Sequence, residues 1–356
     1  MSRTRLLRQL AQWRNELPNI VPHYAVKSNN DRQLLKWLLA EGSSFDCASP
    51  REIHQVLRIG ARPDQIIYAN PCKSHDDIRT AMQLGISTTV VDSPEEVQKL
   101  LEAGYGGDKA HPRNILIRLK VPDAASAQPF SRKFGAPFNW IPDILDIIRS
   151  RPGIHHTGWS FHVGSLCNQP RQFRSAIEHC ALADAIATDC GGNPASIVDI
   201  GGGFIPDPEL FADAAAEIRD SQCLFPKTTR WIGEPGRFLS SPVATLHVSV
   251  IGVKRRADGG HIYTIDDSVY SSFSNIPFDG QKPVYELLAA DAASRPRVKA
   301  TLFGRTCDSA DCLADNIELP QLRVGDVLQV RNMGAYTSVS ASFFNGFDPA
   351  RREYQT

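Results

Sequence analysis

The sequence carries no excess charge of either sign: 39 Lys and Arg stand against 39 Asp and Glu, a formal net charge of zero over 356 residues. So balanced a chain has no electrostatic attraction for nucleic acid or an anionic membrane. No apolar run reaches the length of a bilayer span. The basic start, Met1 to Arg8, lacks the apolar stretch and small-residue cleavage site of a signal peptide, so the cytoplasm is the expected location. The eight cysteines, Cys47, Cys72, Cys167, Cys180, Cys190, Cys223, Cys307 and Cys312, include no CxxC pair. That spacing argues against a zinc site and a disulfide framework, and no metal is expected. There is no internal repeat, no low-complexity linker and no GxGxxG dinucleotide fingerprint.

What is there, over the first two thirds, is a regular alternation. Strand-like segments fall at Val21–Lys27, Ser44–Ala48, Gln65–Asn70, Ser87–Asp92, Asn114–Lys120, His156–Gly164, Ser196–Gly201 and Arg230–Glu234. Helical patterns lie between them. Asp31 caps one; Ser49-Pro-Arg-Glu52 and Ser93-Pro-Glu-Glu96 start others with an N-cap serine, a proline at the first position and an acid at the third. Gly42, Gly60, Gly85 and Gly104 close helices. Eight βα units predict a (β/α)8 TIM barrel over residues 1–239. An open doubly wound sheet is the competitor. The barrel is preferred because Lys27, Asp46, Asn70, Asp92, Arg118, His162, Gly201 and Glu234 all fall at strand C-terminal ends, which converge on one mouth only in a barrel. After about residue 240 the pattern changes to strands at Val243–Val253, His261–Ile265, Val298–Phe303 and Val327–Arg331 separated by turn residues. Residues 240–356 read as a mostly β, sandwich- or barrel-like C-terminal domain.

Lys27 is the most informative residue. It ends a run rich in β-forming residues, where poor solvation would lower its pKa and make it a usable amine for a Schiff base with an aldehyde cofactor. A surface lysine at a strand end is the competing reading. In Asp199-Ile-Gly-Gly-Gly-Phe204, the glycines Gly201, Gly202 and Gly203 let backbone approach an anion closely. In Gly233-Glu-Pro-Gly-Arg237, Glu234 and Arg237, held on the stiff Pro235-Gly236 turn, can serve a protonated ring nitrogen and a phosphate. An ion pair at a turn is the plainer alternative. His162 and Ser165, in Phe161-His-Val-Gly-Ser165, supply a flat ring and a hydroxyl, though a lone histidine is more often a satisfied core residue. An amine, an acid for a pyridinium nitrogen and a phosphate cradle together define pyridoxal 5'-phosphate.

These segments resemble the alanine-racemase-type (fold type III) pyridoxal-phosphate decarboxylases, and within them the eukaryotic-type ornithine decarboxylases. The matching stretches are Tyr24–Lys27, Phe45–Ser49, Ile67–Lys73, Lys133–Gly135, Phe161–Ser165, Asp199–Phe204, Glu234–Arg237, Cys307–Ser309, Gly334–Thr337 and Phe344–Phe347, in family order over nearly the whole chain. The resemblance implies that Lys27 carries the cofactor, Asp46 and Arg118 shape its surroundings and His162 stacks on its ring. It implies that Ser165, Gly203, Arg237 and Tyr336 hold the phosphate and Glu234 the ring nitrogen. It gives Cys307 the steering of protonation after carbon dioxide leaves. Phe278, Asp279 and Asp308 would surround the distal amine of a small diamino-acid substrate, and the active site would be shared across a homodimer.

The implied reaction is decarboxylation of L-ornithine to putrescine, a step of polyamine biosynthesis, with lysine, arginine or another diamino acid as the alternative. A non-catalytic, antizyme-inhibitor-like regulatory protein is the rival from another class. It predicts decay of the chemical residues, and none has decayed here. The family commonly has Tyr-Asp where this chain has Phe278-Asp279, so one hydroxyl near the substrate amine is lost. It also usually has a longer segment before the first barrel strand. Here Met1–Ile20 stands there, mostly one amphipathic helix, and the expectation is either a trimmed β domain or a sequence whose start is missing.

Overall fold

Eight short strands close on themselves in the computed structural model, which describes residues Met1–Thr356. They lie in the first of two units, Arg8–Leu239; Met1–Leu7 group with Ser240–Thr356 in the second. In chain order the strands of the first unit are β1 (Ile20–Ala25), β2 (Ser44–Cys47), β3 (Ile66–Tyr68), β4 (Thr88–Val91), β5 (Arg113–Arg118), β6 (Ser126–Gln128), β7 (Ile154–Ser160), β8 (Ser165–Cys167), β9 (Ile197–Asp199) and β10 (Arg230–Gly233). The barrel order is β1-β10-β9-β7-β5-β4-β3-β2, all neighbours parallel. β6 and β8 stand apart as a small antiparallel pair, with Gln128 opposite Ser165.

The helices start where the sequence places their caps. Asp31 accepts from the Gln33 and Leu34 amides, Ser49 from Glu52 and Ser93 from Glu96. Replacing such a cap with Ala typically costs ~1 kcal/mol. Strand β10 is followed by only one helical turn, Arg237–Ser240, where the alternation had promised a full unit. The long helix Arg3–Glu16, ahead of β1, is the counterpart.

Within the barrel, Ile67, Val90, Leu116 and Ile232 form one interior cluster drawn from β3, β4, β5 and β10. This is the filled interior expected of such barrels. Each such fully buried side chain contributes about 1.5–3 kcal/mol over exposure. A second cluster is aromatic. Trp13, fully buried, donates its indole N–H to the Ile20 carbonyl at 2.9 Å and packs on Phe204, Phe211 and Phe238 at ring distances of 5.1, 5.7 and 6.0 Å. Phe204 ends the glycine-rich turn, so this packing anchors the turn from beneath.

The second unit holds β11 (Leu246–Arg255), β12 (His261–Ile265), β13 (Tyr285–Leu287), β14 (Arg297–Phe303), β15 (Cys312–Pro320) and β16 (Val327–Val330). They make one six-stranded sheet in the order β13-β16-β11-β12-β14-β15. β11 serves two neighbours: residues 246–249 pair with β16 and residues 250–255 with β12, with a register shift between Val250 and Gly252. Tyr263, Ile265, Phe273, Leu302, Leu328 and Val330 centre its core. The first residues join this unit through backbone bonds, Ser2 N–H to the Val243 carbonyl and Arg3 N–H to the Gln355 carbonyl, both 2.9 Å.

Candidate active site

The C-terminal ends of the barrel strands gather most of the residues singled out from the sequence. Lys27 sits in the tight turn Val26–Ser28 just past β1. Its Nζ donates to Asp46 Oδ2 at 2.7 Å, a contact set by the pairing of Ala25 with Asp46 across β1 and β2. The sequence reading had this lysine starved of water, but its side chain is 41% exposed while that of Asp46 is 1%. A buried carboxylate, rather than burial of the amine, is what acts on it. The other oxygen, Asp46 Oδ1, has no hydrogen-bond partner.

In the sequence Glu52 shows only as a helix-capping acid. Its Oε2 accepts the Ala48 N–H at 2.6 Å, and burial raises its pKa, with the charge of Asp46 adding to the rise and the Ala48 bond and Lys27 opposing it. The capping signature concealed a carboxyl at the barrel mouth.

Arg118 ends β5, with its guanidinium 4.7 Å from the Phe134 ring centre. Burial lowers its pKa, countered by Glu234, Asp92, Asp199 and Asp46. His162 follows β7. Burial, with help from the charges of Arg118 and Lys27, drives its pKa well below the ordinary histidine value, so the ring is neutral. Its Nδ1 accepts the Gly164 N–H at 3.0 Å, which puts the ring proton on Nε2. Phe130 packs against it at 4.7 Å, on a loop tied down by Asp123, whose carboxylate accepts the Phe130 and Ser131 amides.

Glu234 lies just past β10 and Asp199 ends β9. Both are buried and their carboxyls are in hydrogen-bond contact; burial raises both pKa values, and Glu234 is held well above the usual carboxylate range. Glu234 Oε1 has no partner. In the sequence Asp199 shows only as the start of the glycine-rich turn.

Around the opposite pole of a prospective ligand, Arg237 Nη2 donates to Ser165 Oγ at 3.1 Å. Gly203 has φ +106°, and a Cβ there would lie 2.5 Å from the Gly164 carbonyl. A Cβ on Gly202 would lie 2.9 Å from both His162 Nε2 and the Glu234 carbonyl. Only glycine leaves that space open. Pro235 and Gly236 complete the turn that carries Arg237, and Gly201 gives its amide to Asp199 at 2.9 Å. The β6–β8 pair that positions Ser165 was not foreseen: each strand is three residues long and carries no readable alternation.

The remaining candidates belong to the second unit. Cys307 is exposed, and its N–H donates to Asn345 Oδ1 at 2.9 Å. Asp308 accepts from the Tyr270 hydroxyl and from the Ala310 N–H, and the tyrosine bond holds its pKa below the usual carboxylate value. Tyr270 stacks on Phe344 at 4.3 Å. Asp279 is buried at the end of the short helix Asn275–Asp279, closed by Gly280 at φ +65°, whereas the Phe278 side chain is 73% exposed. Tyr336 has φ +54°, a conformation L-residues seldom adopt and one that recurs at functional sites.

The barrel mouth fits a phosphorylated pyridine aldehyde on its own geometry. It offers an ion-paired lysine, a buried acid with one oxygen unpaired, and a glycine floor beside an arginine–serine pair. This is the class of barrel enzymes that use pyridoxal phosphate. The chain matches the family described as "pyridoxal-dependent decarboxylase, pyridoxal binding domain" over residues 3–241, and it belongs to that family. It is 37% identical to an ornithine decarboxylase of Caenorhabditis elegans, over 96% of this chain and 83% of that one. Among solved structures it is similar to the arginine decarboxylase of Paramecium bursaria Chlorella virus, with a TM-score of 0.91 and 34% identity over 99% of this chain and 93% of that one. It is also similar to a lysine/ornithine decarboxylase of Vibrio vulnificus in complex with cadaverine, with a TM-score of 0.90 and 32% identity over 100% of this chain and 93% of that one. The protein is thus a pyridoxal-phosphate-dependent decarboxylase with an alanine-racemase-like barrel and a mostly β second unit. No helix is long and apolar enough to cross a membrane.

Proposed function

We propose that the chain decarboxylates L-ornithine to putrescine and carbon dioxide, with L-lysine and L-arginine as the competing substrates. The observation that carries the reading is Glu234 Oε1, a buried acid oxygen without a partner, at the mouth that also bears Lys27. Pyridoxal phosphate supplies an aldehyde carbon for covalent capture and a pyridinium ring that takes up the electron pair released when carbon dioxide leaves.

Lys27 is the residue for that capture, with Asp46 holding its amine in place. Neutral His162 gives the ring a flat surface without adding a competing charge. Ser165, Arg237, Gly201, Gly202, Gly203 and Tyr336 are assigned to the phosphate, and Glu234 to the ring nitrogen. In the second unit, Asp279 and Asp308 are assigned to the distal ammonium of the substrate, beside Phe278, and Cys307 to directing the proton that replaces the lost carboxyl group. Tyr270 supports this by fixing the Asp308 carboxylate.

A homodimer with shared active sites is part of the same proposal. Support comes from the apolar side chains of the second unit that stand in water, among them Phe343 at 71%, Phe278 at 73% and Val324 at 65% exposure. The eight unpaired thiols suit a reducing compartment, the cytoplasm. A purely regulatory, non-catalytic role is disfavoured because Lys27, Asp46, Arg118, Glu234, Arg237, Asp279 and Cys307 are all present.

The test is carbon dioxide release by the purified protein with added pyridoxal phosphate, on L-ornithine, L-lysine, L-arginine and meso-diaminopimelate in parallel. Preference for ornithine is expected. Preference for lysine or arginine would overturn the substrate and locate the choice near Phe278 and Asp279. Release from none of them would overturn the reading as a diamino-acid decarboxylase.

A further inference from the structure

Asp199 is a buried titratable group at the barrel mouth to which the chemistry above gives no role. It is fully buried, and its environment is built around its carboxylate. Oδ1 accepts the Gly201 N–H at 2.9 Å, and Oδ2 accepts the Ser160 hydroxyl at 3.2 Å. A third contact is the carboxyl of Glu234. Strand register produces this contact. Asp199 pairs with Ile232 across β9 and β10, so Glu234, two residues on, projects from the strand end beside it. The backbone locks the same corner, since the Glu234 N–H donates to the Gly201 carbonyl at 2.6 Å. Two carboxyls in contact share a proton, because both cannot ionise at such a distance in a dry site. Glu234 is thus held from behind by Asp199 and left with Oε1 unpaired in front.

We propose that Asp199 is a positioning residue for the acid that receives the cofactor's ring nitrogen: it fixes the Glu234 carboxyl in place and sets how tightly that nitrogen holds its proton. The inference rests on the pyridoxal-phosphate reading of the barrel mouth. The pair carries one proton and one negative charge, a single counter-charge for a pyridinium ring. Without Asp199, Glu234 would still be raised by burial but would lose the further rise that the neighbouring carboxyl adds, and so be less basic and a weaker partner for the ring proton. The other groups whose charge reaches the pair are Asp46, Lys27 and Arg118, with the buried Cys180 thiol behind Asp199 and neutral His162 across Gly202, and all of them are present in both variants.

Two variants with opposite electrostatic consequences test this. Asp199→Asn keeps the shape and removes the second carboxyl, so that Glu234 no longer shares a proton. Ser160→Ala removes one donor to Asp199 and makes the pair more basic. The readout is the pH titration of the ring nitrogen in protein loaded with 15N-labelled pyridoxal phosphate, followed by 15N NMR. Asp199→Asn is expected to lower the titration midpoint by about one unit, tenfold in proton affinity. It should also reduce kcat about tenfold, with KM for the amino acid within about twofold of wild type, since the substrate's distal amine is not touched. Ser160→Ala should move the midpoint the other way. Unshifted midpoints, or shifts of the same sign in both variants, would overturn the proposal. Should Asp199→Asn fail to fold, an unmoved or lowered midpoint in Ser160→Ala alone would overturn it. Wild-type protein that fails to retain the labelled cofactor would instead overturn the underlying reading of the site.

Discussion

Lys27 Nζ lies 2.7 Å from Asp46 Oδ2, and the carboxylate, not the lysine, is the buried partner. Removing the amine therefore does two things: it deletes the anchor for the cofactor's aldehyde and leaves a carboxylate in the barrel without its cation. Lys27→Ala is expected to lose the visible absorption of the bound cofactor and its retention through gel filtration. It should also lose about 1–3 kcal/mol of stability from the stranded carboxylate. Lys27→Arg should keep the ion pair and the stability but still lose the absorption band. A visible band surviving in either variant would refute the assignment of Lys27.

Cys307 is exposed at a loop whose conformation is held by the Asn345 side chain on its own N–H. If it directs the proton after carbon dioxide leaves, Cys307→Ala should slow turnover about 10²-fold, the low end of what a positioned proton donor contributes. The product mixture should shift towards an aldehyde, with amine transferred to the cofactor. Product analysis by mass spectrometry decides the matter: an unchanged product ratio at reduced rate would remove this role.

Legibility in the sequence followed the length and regularity of each signal. The caps at Asp31, Ser49 and Ser93 were readable because the residue types at fixed offsets name the backbone groups they satisfy. The barrel was readable because polar residues recur at strand ends. The β6–β8 arm was not, since three residues cannot display a period of two. β15, Cys312–Pro320, was missed for a different reason: its Ala-Asp-Asn-Ile-Glu stretch is largely exposed at the sheet edge and so carries no apolar alternation. Lys27 was found by its position at a strand end, yet its degree of burial was misjudged, because only the fold shows that Asp46 takes the dry side. Asp199 stood beside three glycines whose signal is louder. Its partner Glu234 lies 35 positions away in sequence (234 − 199), close only through strand pairing.

Asp279 is a buried carboxylate at the end of a short helix, beside a Phe278 that gives no hydroxyl to share the load. Its assigned partner is the substrate's distal ammonium, which the cofactor does not resemble. Asp279→Asn should therefore raise KM for ornithine at least about tenfold, roughly 1.4 kcal/mol of binding. The apparent affinity for pyridoxal phosphate should stay within about twofold. Parallel loss of both, measured by initial rates and cofactor titration, would make Asp279 a structural residue.

His23 gives a prediction about stability that is independent of the chemistry. It is buried on β1, with Nδ1 3.2 Å from the Val21 carbonyl, and burial lowers its pKa from 6.5 to about 4, helped by the charge of Arg230 and opposed by the Val21 bond. Above pH 6.5 the ring is neutral in both folded and unfolded chains and adds no pH dependence. As the pH falls from 6.5 towards 4, the unfolded chain takes up a proton that the folded chain refuses, so stability is lost across that window. A depression of this size corresponds to about 3 kcal/mol. His23→Asn, whose amide can still donate to the Val21 carbonyl, removes the titration. Denaturant unfolding at pH 6.5 and pH 4 should show the variant losing about 3 kcal/mol less than wild type over the interval, while carboxylates common to both cancel in the difference. Equal losses in the two proteins would mean that His23 is not held neutral by the fold.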